Sequence, residues 1–409
     1  MSVGFPVAVM VLAVVVHFYL WRRLVRGTTR PGPARAWLTG ILVALAVLVP
    51  LTLVGSRAGW GHWLAWPGYL WIAVMFYLVV FLVVLEVPRA VAGYVLRRSA
   101  RGPVGVPADL VTVPAGAEVP PPAGPAVAAE TVSRRLFLGR TAAAVAGVGA
   151  LTTVGIGIRT ALGDPVIERV SATLPGLDPR LAGLRFAVVS DIHLGPITGL
   201  GHTRRIVRMI NALEADVVAI VGDMVDGTVA ELGALARPLE SLESRYGAYF
   251  VTGNHEYYTA NGPSEWTEEL RGLGVRPLLN ERVEIAHGGA VLDLAGVNDV
   301  AGTPFDDGPD FGRALGGRDT TRTAVLLAHQ PVQAREAARH GVDLQLSGHT
   351  HGGQMVPFNL IVPFQQPVVS GLGEVDGTQV YVTRGAGFWG PPVRVGAPPE
   401  ITLLQLRAG

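Results

Sequence analysis

Histidine, aspartate and asparagine residues recur in five short clusters within the 409-residue chain. Each cluster directly follows an apolar run, and five of the ten histidines belong to the set. Carboxylate oxygens, an amide oxygen and imidazole nitrogens, without sulfur, are ligands suited to Mn, Fe, Zn or Co. The set holds enough of them for two divalent metal ions about a shared carboxylate. The clusters are Asp191-Ile192-His193, Gly222-Asp223, Gly253-Asn254-His255-Glu256, His329 and Gly348-His349-Thr350-His351.

Predicted strands place these clusters at one edge of a sheet. Short apolar runs indicate buried strands, and amphipathic patterns between the early runs indicate helices. Such alternation is typical of a mainly parallel or mixed sheet, in which ligands gather beyond the carboxyl ends of strands. Later runs add strands, so two packed sheets flanked by helices accommodate the count. The main strands are 186–190, 217–221, 249–252, 324–328 and 344–347, the helices are 203–213, 229–244 and 264–273, and the later strands are 283–285, 291–295, 379–383 and 401–405.

Spacing within the clusters suggests how the side chains converge. Asp191 and His193 are alternate residues leaving one strand, so both can point to the same side, and His349 and His351 repeat this spacing. Asp223 ends the next strand with two carboxylate oxygens, which can bridge two cations. Two such ions polarise a phosphoryl group and lower the pKa of a bound water. The residues therefore predict a binuclear metal hydrolase acting on phosphate esters.

Composition limits the alternatives. Hydrophobic residues make up 49% of the chain and charged residues 16%, which indicates membrane segments. The net charge of +1 gives no support to nucleic-acid binding, and we expect no nucleic-acid partner. The absence of cysteine excludes disulfides, thiolate metal sites and cysteine nucleophiles.

Three apolar stretches in the first quarter of the chain predict transmembrane helices. Residues 5–21, 37–54 and 69–87 each approach the ~20 residues that a helix needs to cross ~30 Å of hydrocarbon. They define a predicted membrane region at residues 1–98. A fourth stretch, residues 141–160, predicts a further membrane span or signal anchor.

Arginines between the stretches predict the orientation. Five lie between the first and second stretches, one between the second and third, and four after the third. The positive-inside bias places the first and third connections in the cytoplasm and the N-terminus outside, so we expect a multi-pass protein of the cell membrane. The arginines are Arg22, Arg23, Arg26, Arg30 and Arg35, then Arg57, then Arg89, Arg97, Arg98 and Arg101.

Residues 99–140 predict a flexible cytoplasmic linker rich in Pro, Ala and Gly. The linker ends in a motif around Arg134-Arg135 that resembles a twin-arginine export signal, which would make the export machinery a partner. The alternative is that both arginines, with Arg140, anchor an ordinary fourth span. Both interpretations place residues 161–409 outside the cell. No small-x-small cleavage site follows, so we expect the segment to remain as an anchor.

The ordered series D-x-H, G-D, G-N-H-E, H and G-H-T-H, over about residues 184–406, resembles the calcineurin-like metallophosphoesterase superfamily. The segments His349-Thr350-His351-Gly352-Gly353-Gln354, Arg384-Gly385-Ala386-Gly387 and Pro399-Glu400-Ile401 are similar to a bacterial branch of membrane-linked, twin-arginine-exported phosphoesterases. The resemblance implies an α/β fold: a four-layer αββα sandwich at residues 161–409, preceded by an all-α transmembrane region.

The resemblance also implies roles for individual residues. One metal ion would bind Asp191, His193, Asp223 and His351. The other would bind Asp223, Asn254, His329 and His349. His255 would face the substrate as proton donor or electrostatic stabiliser.

The expected substrate is a phosphodiester, pyrophosphate or phosphomonoester at the outer face of the membrane, with a lipid-linked envelope phosphate as one candidate. A tethered nucleotide or cyclic-nucleotide phosphodiesterase is an alternative. A non-catalytic metal-binding membrane sensor is another, although the full ligand set with His255 argues against it.

The roles of several neighbouring residues stay open. Asp226 could orient a metal ligand or serve an ordinary cap or turn, and Glu256 and Asn298-Asp299 are similarly ambiguous. Arg384 could contact a phosphate. Residues 358–364, Phe388 and Trp389 form an apolar set near the last histidine motif, and they could pack internally or rest on lipid.

The predicted topology can be tested with reporter fusions. A reporter after Gly409 should be active outside the cell, and one near Pro114 should be active inside. The opposite pattern would overturn the orientation. Replacing Arg134 and Arg135 by a neutral pair should block export only if the twin-arginine interpretation is right, whereas normal export would support the anchor.

Overall fold

A computed structural model describes residues 4–57, 61–99 and 134–409 of the chain. The predicted linker therefore lies outside the described residues except at its two ends. The chain divides into two compact units, Met1–Val47 with Val74–Thr152 and Leu48–Ala73 with Thr153–Gly409.

The apolar stretches form long helices: α1 (Gly4–Leu20), α2 (Pro33–Arg57), α3 (His62–Ser99) and α4 (Arg134–Leu162). Of the described helices, three contain segments long and apolar enough to cross a membrane, at Pro33–Gly55, His62–Pro88 and Leu136–Leu162. These segments overlap the second, third and fourth predicted spans. The first predicted span coincides with α1, whose 17 residues fall short of the ~20 needed to span the hydrocarbon.

The remaining strands and helices build the second unit. Its two six-stranded sheets have the orders β1-β12-β2-β3-β4-β5 and β10-β11-β9-β8-β7-β6. Strands β2 to β5 are parallel, and so are β7, β8, β9 and β11. The strands are β1 (Val166–Leu174), β2 (Arg185–Val189), β3 (Val217–Val221), β4 (Ala248–Val251), β5 (Val275–Pro277), β6 (Glu281–His287), β7 (Ala290–Gly296), β8 (Ala324–Leu327), β9 (Leu344–Ser347), β10 (Gly371–Val375), β11 (Thr378–Val382) and β12 (Glu400–Ala408).

Side-chain alternation along the strands separates the layers. Phe186 of β2 points between the sheets, where it shares a buried cluster with Leu327 of β8. Its neighbour Ala187 joins the cluster under the helices of the first sheet, including Trp266. A smaller cluster joins Leu326 to the helices of the other sheet. The helices are α5 (Leu200–Asn211), α6 (Val229–Ala236) and α7 (Ser264–Gly272) on the first sheet, and α8 (Phe311–Leu315) and α9 (Ala334–Arg339) on the second.

This arrangement confirms the predicted four-layer αββα sandwich. Strands β3 and β9 have the predicted bounds. The predicted helix 229–244 ends instead at Ala236 and continues as a 3-10 turn, Arg237–Ser241, because Pro238 has no amide hydrogen to donate to a preceding α-helical carbonyl.

Several elements were not predicted. Strand β1 carries Glu168 and Arg169 at a sheet edge, so it lacks a continuous apolar run. Strand β5 has three residues and β10 is glycine-rich, while α8 and α9 are too short for helical periodicity to register.

The core between the sheets should dominate the stability of the second unit. Phe186 is 0% exposed there, so Phe186→Ala should lower the free energy of unfolding by about 3–5 kcal/mol. Leu372→Ala, at a side chain that is 45% exposed, should change it by about 0.5 kcal/mol or less. Urea unfolding of the detergent-solubilised chain, followed by near-UV circular dichroism, measures both, and equal losses would contradict the layer assignment.

Candidate metal centre

All the predicted ligands lie beyond the carboxyl ends of strands. Asp191, Asp223, His329 and His349 each stand two positions after the last residue of β2, β3, β8 and β9, respectively. Asn254 follows β4 in the same way, three positions on. The two sheets therefore contribute to one site, which joins the ends of five strands.

The backbone at these positions is left-handed rather than extended. The φ angles are 52° at Asp191, 48° at His193, 49° at Asp223, 71° at His349 and 51° at His351. Asp191 and His193 share one donor group, as their alternate spacing predicted, but through left-handed rather than extended backbone, whereas His349 and His351 belong to different donor groups. Left-handed backbone costs a non-glycine residue about 1–3 kcal/mol and persists only where the surroundings enforce it.

Glycines in the motifs let neighbouring loops approach the carboxylates. A Cβ atom added to Gly253 would overlap Oδ1 of Asp223, and one added to Gly348 would overlap Oδ2 of Asp191. The G-N-H-E and G-H-T-H motifs therefore begin with glycine because a larger residue would not fit beside the acidic side chains.

The first group of donor atoms comprises Asp191, His193 and His351. Nε2 of His351 lies 3.1 Å from Oδ1 of Asp191 and 3.1 Å from Nε2 of His193. Nδ1 of His193 lies 2.9 Å from the Asp226 carboxylate and donates its hydrogen to it. Nε2 of His193 then faces His351 and Asp191.

The second group comprises Asp223, His329 and His349. Nδ1 of His329 donates to the carbonyl oxygen of Val221 at 2.8 Å, which directs Nε2 toward Asp223. That nitrogen lies 3.1 Å from Oδ2 of Asp223. Oδ1 of Asn254 is also buried, without a hydrogen-bond partner among the described residues.

These contacts fit bound cations. Buried lone pairs that face one another across about 3 Å repel unless a proton or cation lies between them, and ligands on one ion with bonds of about 2.1 Å are separated by similar distances. Burial lowers the pKa of His349 and His351 to about 4, so both rings are neutral near pH 7 and can coordinate.

Both aspartates also accept backbone hydrogen bonds across the site. Oδ2 of Asp191 accepts from the His349 amide at 3.0 Å, and Oδ1 of Asp223 accepts from the His255 amide at 2.8 Å. Burial opposes ionisation of Asp191, but His351 and other nearby imidazoles hold its pKa well below the usual range. The carboxylates are therefore charged at neutral pH.

Asp226 orients two imidazoles, which resolves one open assignment. Its Oδ1 accepts from Nδ1 of His193 at 2.9 Å and from Nδ1 of His255 at 2.7 Å. The orientation of a predicted ligand and of the predicted proton donor therefore depends on one carboxylate. Such outer carboxylates fix the tautomer and the aim of a coordinating ring.

Glu256 has a structural role. Its fully buried carboxylate accepts from the backbone amides of Asp223, Met224 and Gly253 at 3.1, 2.8 and 2.6 Å. Burial and the neighbouring Asp223 carboxylate raise its pKa to about 7. It joins the loops after β3 and β4 and so fixes these two loops relative to each other.

His255 lies at the opening of the site. Its side chain is 13% exposed, and Nε2 lies 4.0 Å from Oδ2 of Asp223. Burial lowers the pKa of His255, but the carboxylates of Asp223 and Asp226 outweigh it and raise the value to about 9. The ring therefore carries a proton near neutral pH.

Arg394 was missed by sequence reasoning. Its side chain is buried, and it donates to the carbonyl oxygens of His351 at 2.9 Å and Gly387 at 3.0 Å. It holds the histidine loop against the last glycine-rich loop. Its position in a Pro- and Gly-rich segment without periodicity offered no signal.

Two other open residues lie away from the donor atoms. Arg384 forms ion pairs with Glu168 and Glu400, each at 2.6 Å, so its charge is neutralised within the fold and a phosphate contact is not supported. Asp299 accepts from the Ala301 amide at 2.8 Å, as a helix cap does.

Comparisons with known proteins agree with this geometry. Residues 184–353 match the model of the calcineurin-like phosphoesterase family. An uncharacterized metallophosphoesterase of Aquifex aeolicus is 34% identical over 235 residues, which cover 56% of this chain and 87% of that protein. The fold and the donor groups define a metallophosphoesterase domain. The chain belongs to the calcineurin-like metallophosphoesterase family, whose members use metal ions.

Vertebrate relatives are longer. A transmembrane protein with metallophosphoesterase domain of Bos taurus is 41% identical over 298 residues, which cover 70% of this chain and 66% of that protein. One of Danio rerio with the same name is 39% identical over 260 residues, which cover 61% and 59%. The matched regions thus span about three fifths to two thirds of these relatives.

Asp226 provides a test of the ligand geometry. Asp226→Asn should weaken metal binding about 10–100-fold, because an amide holds the two imidazoles less firmly than a carboxylate does. Metal titration of the full chain with a competing chelator measures the change. Asp319→Asn, at an exposed site outside the centre, is the control. Unchanged affinity in Asp226→Asn would show that the contact does not orient His193.

Proposed function

We propose that the chain hydrolyses a phosphodiester, pyrophosphate or phosphomonoester with two divalent cations, at the outer face of a membrane. The observation that carries the proposal is the buried convergence of two donor groups, with the Asp191 and Asp223 carboxylates each 3.1 Å from an imidazole nitrogen, of His351 and His329 respectively. Buried charge and lone pairs in this arrangement favour cations over an empty core.

Seven side chains would hold the ions, with Asp223 shared. When bound, the two ions supply polarisation of the phosphoryl group and an activated water near neutral pH. The donor chemistry is compatible with Mn, Fe, Zn or Co. The first ion would bind Asp191, His193, Asp223 and His351, and the second Asp223, Asn254, His329 and His349.

His255 would supply the proton that a leaving alkoxide needs. Its Nδ1 hydrogen bond to Asp226 directs the other ring nitrogen toward the opening, and the carboxylate stabilises the protonated ring. Cations bound beside Asp223 would repel that proton and lower the pKa of His255 from about 9 toward neutrality. A donor whose pKa lies near the working pH is efficient as a general acid.

Membrane attachment and orientation are part of the proposal. The three apolar helical segments support attachment, as do the names of the relatives from Bos taurus and Danio rerio, which describe transmembrane proteins. The arginine distribution supports a multi-pass chain with its catalytic unit outside the cell. An envelope lipid phosphate is then the nearest substrate class. The side chains of Arg134 and Arg135 lie outside the described set, so export by the twin-arginine machinery rests on sequence alone.

A substrate panel with metal analysis tests the function. The purified full chain should contain about two ions and hydrolyse a lipid phosphoester faster than nucleotides or cyclic nucleotides. Faster nucleotide turnover would favour the tethered nucleotide phosphodiesterase. Bound metal without turnover of any ester would favour a sensor.

His255→Ala should retain both ions and slow the chemical step ~10²–10⁴-fold, with a smaller loss for nitrophenyl esters, which need little protonation of the leaving group. Asp223→Asn is the matched control, since it should lose metal and turnover together. If His255→Ala loses metal in proportion to its activity, His255 is a ligand. If leaving-group quality makes no difference, its role is electrostatic.

A further inference from the structure

Six apolar side chains beside the candidate metal centre are exposed. We name this surface the apolar rim. The exposed fraction reaches 87% at Phe364 and 68% at Leu360, values unusual for large apolar side chains on a water-facing surface. The members are Val356, Phe358, Leu360, Ile361, Phe364 and Trp389.

The rim segment is uncharged as well as apolar. Residues 352–366 contain no Asp, Glu, Arg or Lys. Two consecutive 3-10 turns, Phe358–Leu360 and Val362–Phe364, leave none of their residues buried. A surface without charges can leave water without the penalty of desolvating an ion.

The rim borders the metal centre through short connections. Gln354, three residues after His351, donates to the carbonyl oxygen of Trp389 and accepts from its amide, both at 2.9 Å. Gly353 is in such close contact with Asn359 that a Cβ atom would overlap it. The rim therefore lies on the His351 side of the site.

The same segment is bonded to a membrane-span helix. Val356 donates its amide to Val395 at 3.0 Å, and Arg394 donates its amide to the carbonyl oxygen of Gly157 at 3.0 Å. Gly157 belongs to α4 and lies inside its apolar segment Leu136–Leu162. Two backbone hydrogen bonds and the adjacent residues Arg394 and Val395 thus connect the rim to a candidate membrane span.

Helix α3 also lies close to the rim. A Cβ atom on Gly390, next to Trp389, would lie 3.5 Å from Cε1 of Tyr69 in α3. Trp63 and Trp66 on the preceding turns of α3 are 75% and 44% exposed. Exposed tryptophans near the end of a membrane helix are typical of the interface between lipid and water.

We propose that the apolar rim inserts into the lipid bilayer that holds the chain. Insertion places the mouth of the site at the headgroup layer, where a lipid-linked phosphate can enter without leaving the membrane. This second consequence rests on the proposed function, whereas the insertion itself does not. The occupant is a bilayer because the rim is joined to α4 within its apolar segment.

Because the chain contains no cysteine, a single introduced cysteine can carry a spin label at a chosen position. Phe364→Cys carries the label in the rim, and Ser241→Cys carries it on the loop before β4, at the opposite ends of the strands. Both proteins are reconstituted in vesicles of phosphatidylcholine and phosphatidylglycerol. The measurement is the accessibility of each nitroxide to oxygen and to a water-soluble nickel chelate.

At residue 364, oxygen should relax the label more than the nickel chelate does, and the order should reverse at residue 241. Equal access of the chelate to both labels would overturn insertion. Exclusion of both reagents at residue 364 would also overturn it, because a second copy or another protein would then cover the rim.

Turnover measurements distinguish insertion of the rim from delivery of a substrate out of the membrane. In Phe364→Glu, the ratio of turnover on a bilayer phosphoester to turnover on a soluble ester should fall on the order of tenfold. Leu372→Glu, at an exposed apolar side chain outside the rim, should retain the wild-type ratio. An unchanged ratio in Phe364→Glu would overturn delivery from the membrane. If the wild-type chain hydrolyses no ester, the proposed function fails and the spin-label result alone decides insertion.

Discussion

The close packing of buried carboxylates and imidazoles is the constraint around which the second unit is built. Oδ1 of Asp191 and Nε2 of His329 lack hydrogen-bond partners among the described residues, although each lies 3.1 Å from another donor atom of the site. An arrangement of this kind relaxes apart unless the backbone is held. The left-handed φ angles at five of the seven predicted ligands show where that restraint acts.

The restraint comes from layers behind the ligands. The five strands that end at the site are buried on both faces, so their ends cannot move without disturbing the core between the sheets. Glu256 ties the loops after β3 and β4 together through three backbone amides, and Arg394 ties the loop of His351 to the last loop. One buried carboxyl group and one buried guanidinium thus support the site.

Features that depend on residues close together in the chain could be predicted from the sequence, whereas features that depend on distant contacts could not. Buried parallel strands are continuous apolar runs, so β3 and β9 were recognised with their bounds, and the donor residues were found because they follow those runs. Strand β1 acquires its place from pairing with β12, which is distant in the chain, and no local pattern reports that. The same holds for Asp226, whose bonds to His193 and His255 depend on how two loops meet. Whether the seven side chains bind metal stays a prediction.

Asp226 connects metal binding with proton transfer. His193, on the ligand side, and His255, on the substrate side, share its Oδ1 through their Nδ1 atoms, so a shift of either ring changes the hydrogen bond of the other. Burial opposes a charge on His329, yet Asp223 raises its pKa well above the usual value, so cations must displace a proton there. Under the proposed function, cations bound there would reduce the field that holds the proton on His255. His255 would then change from a firmly protonated ring into one that can release its proton to a leaving group.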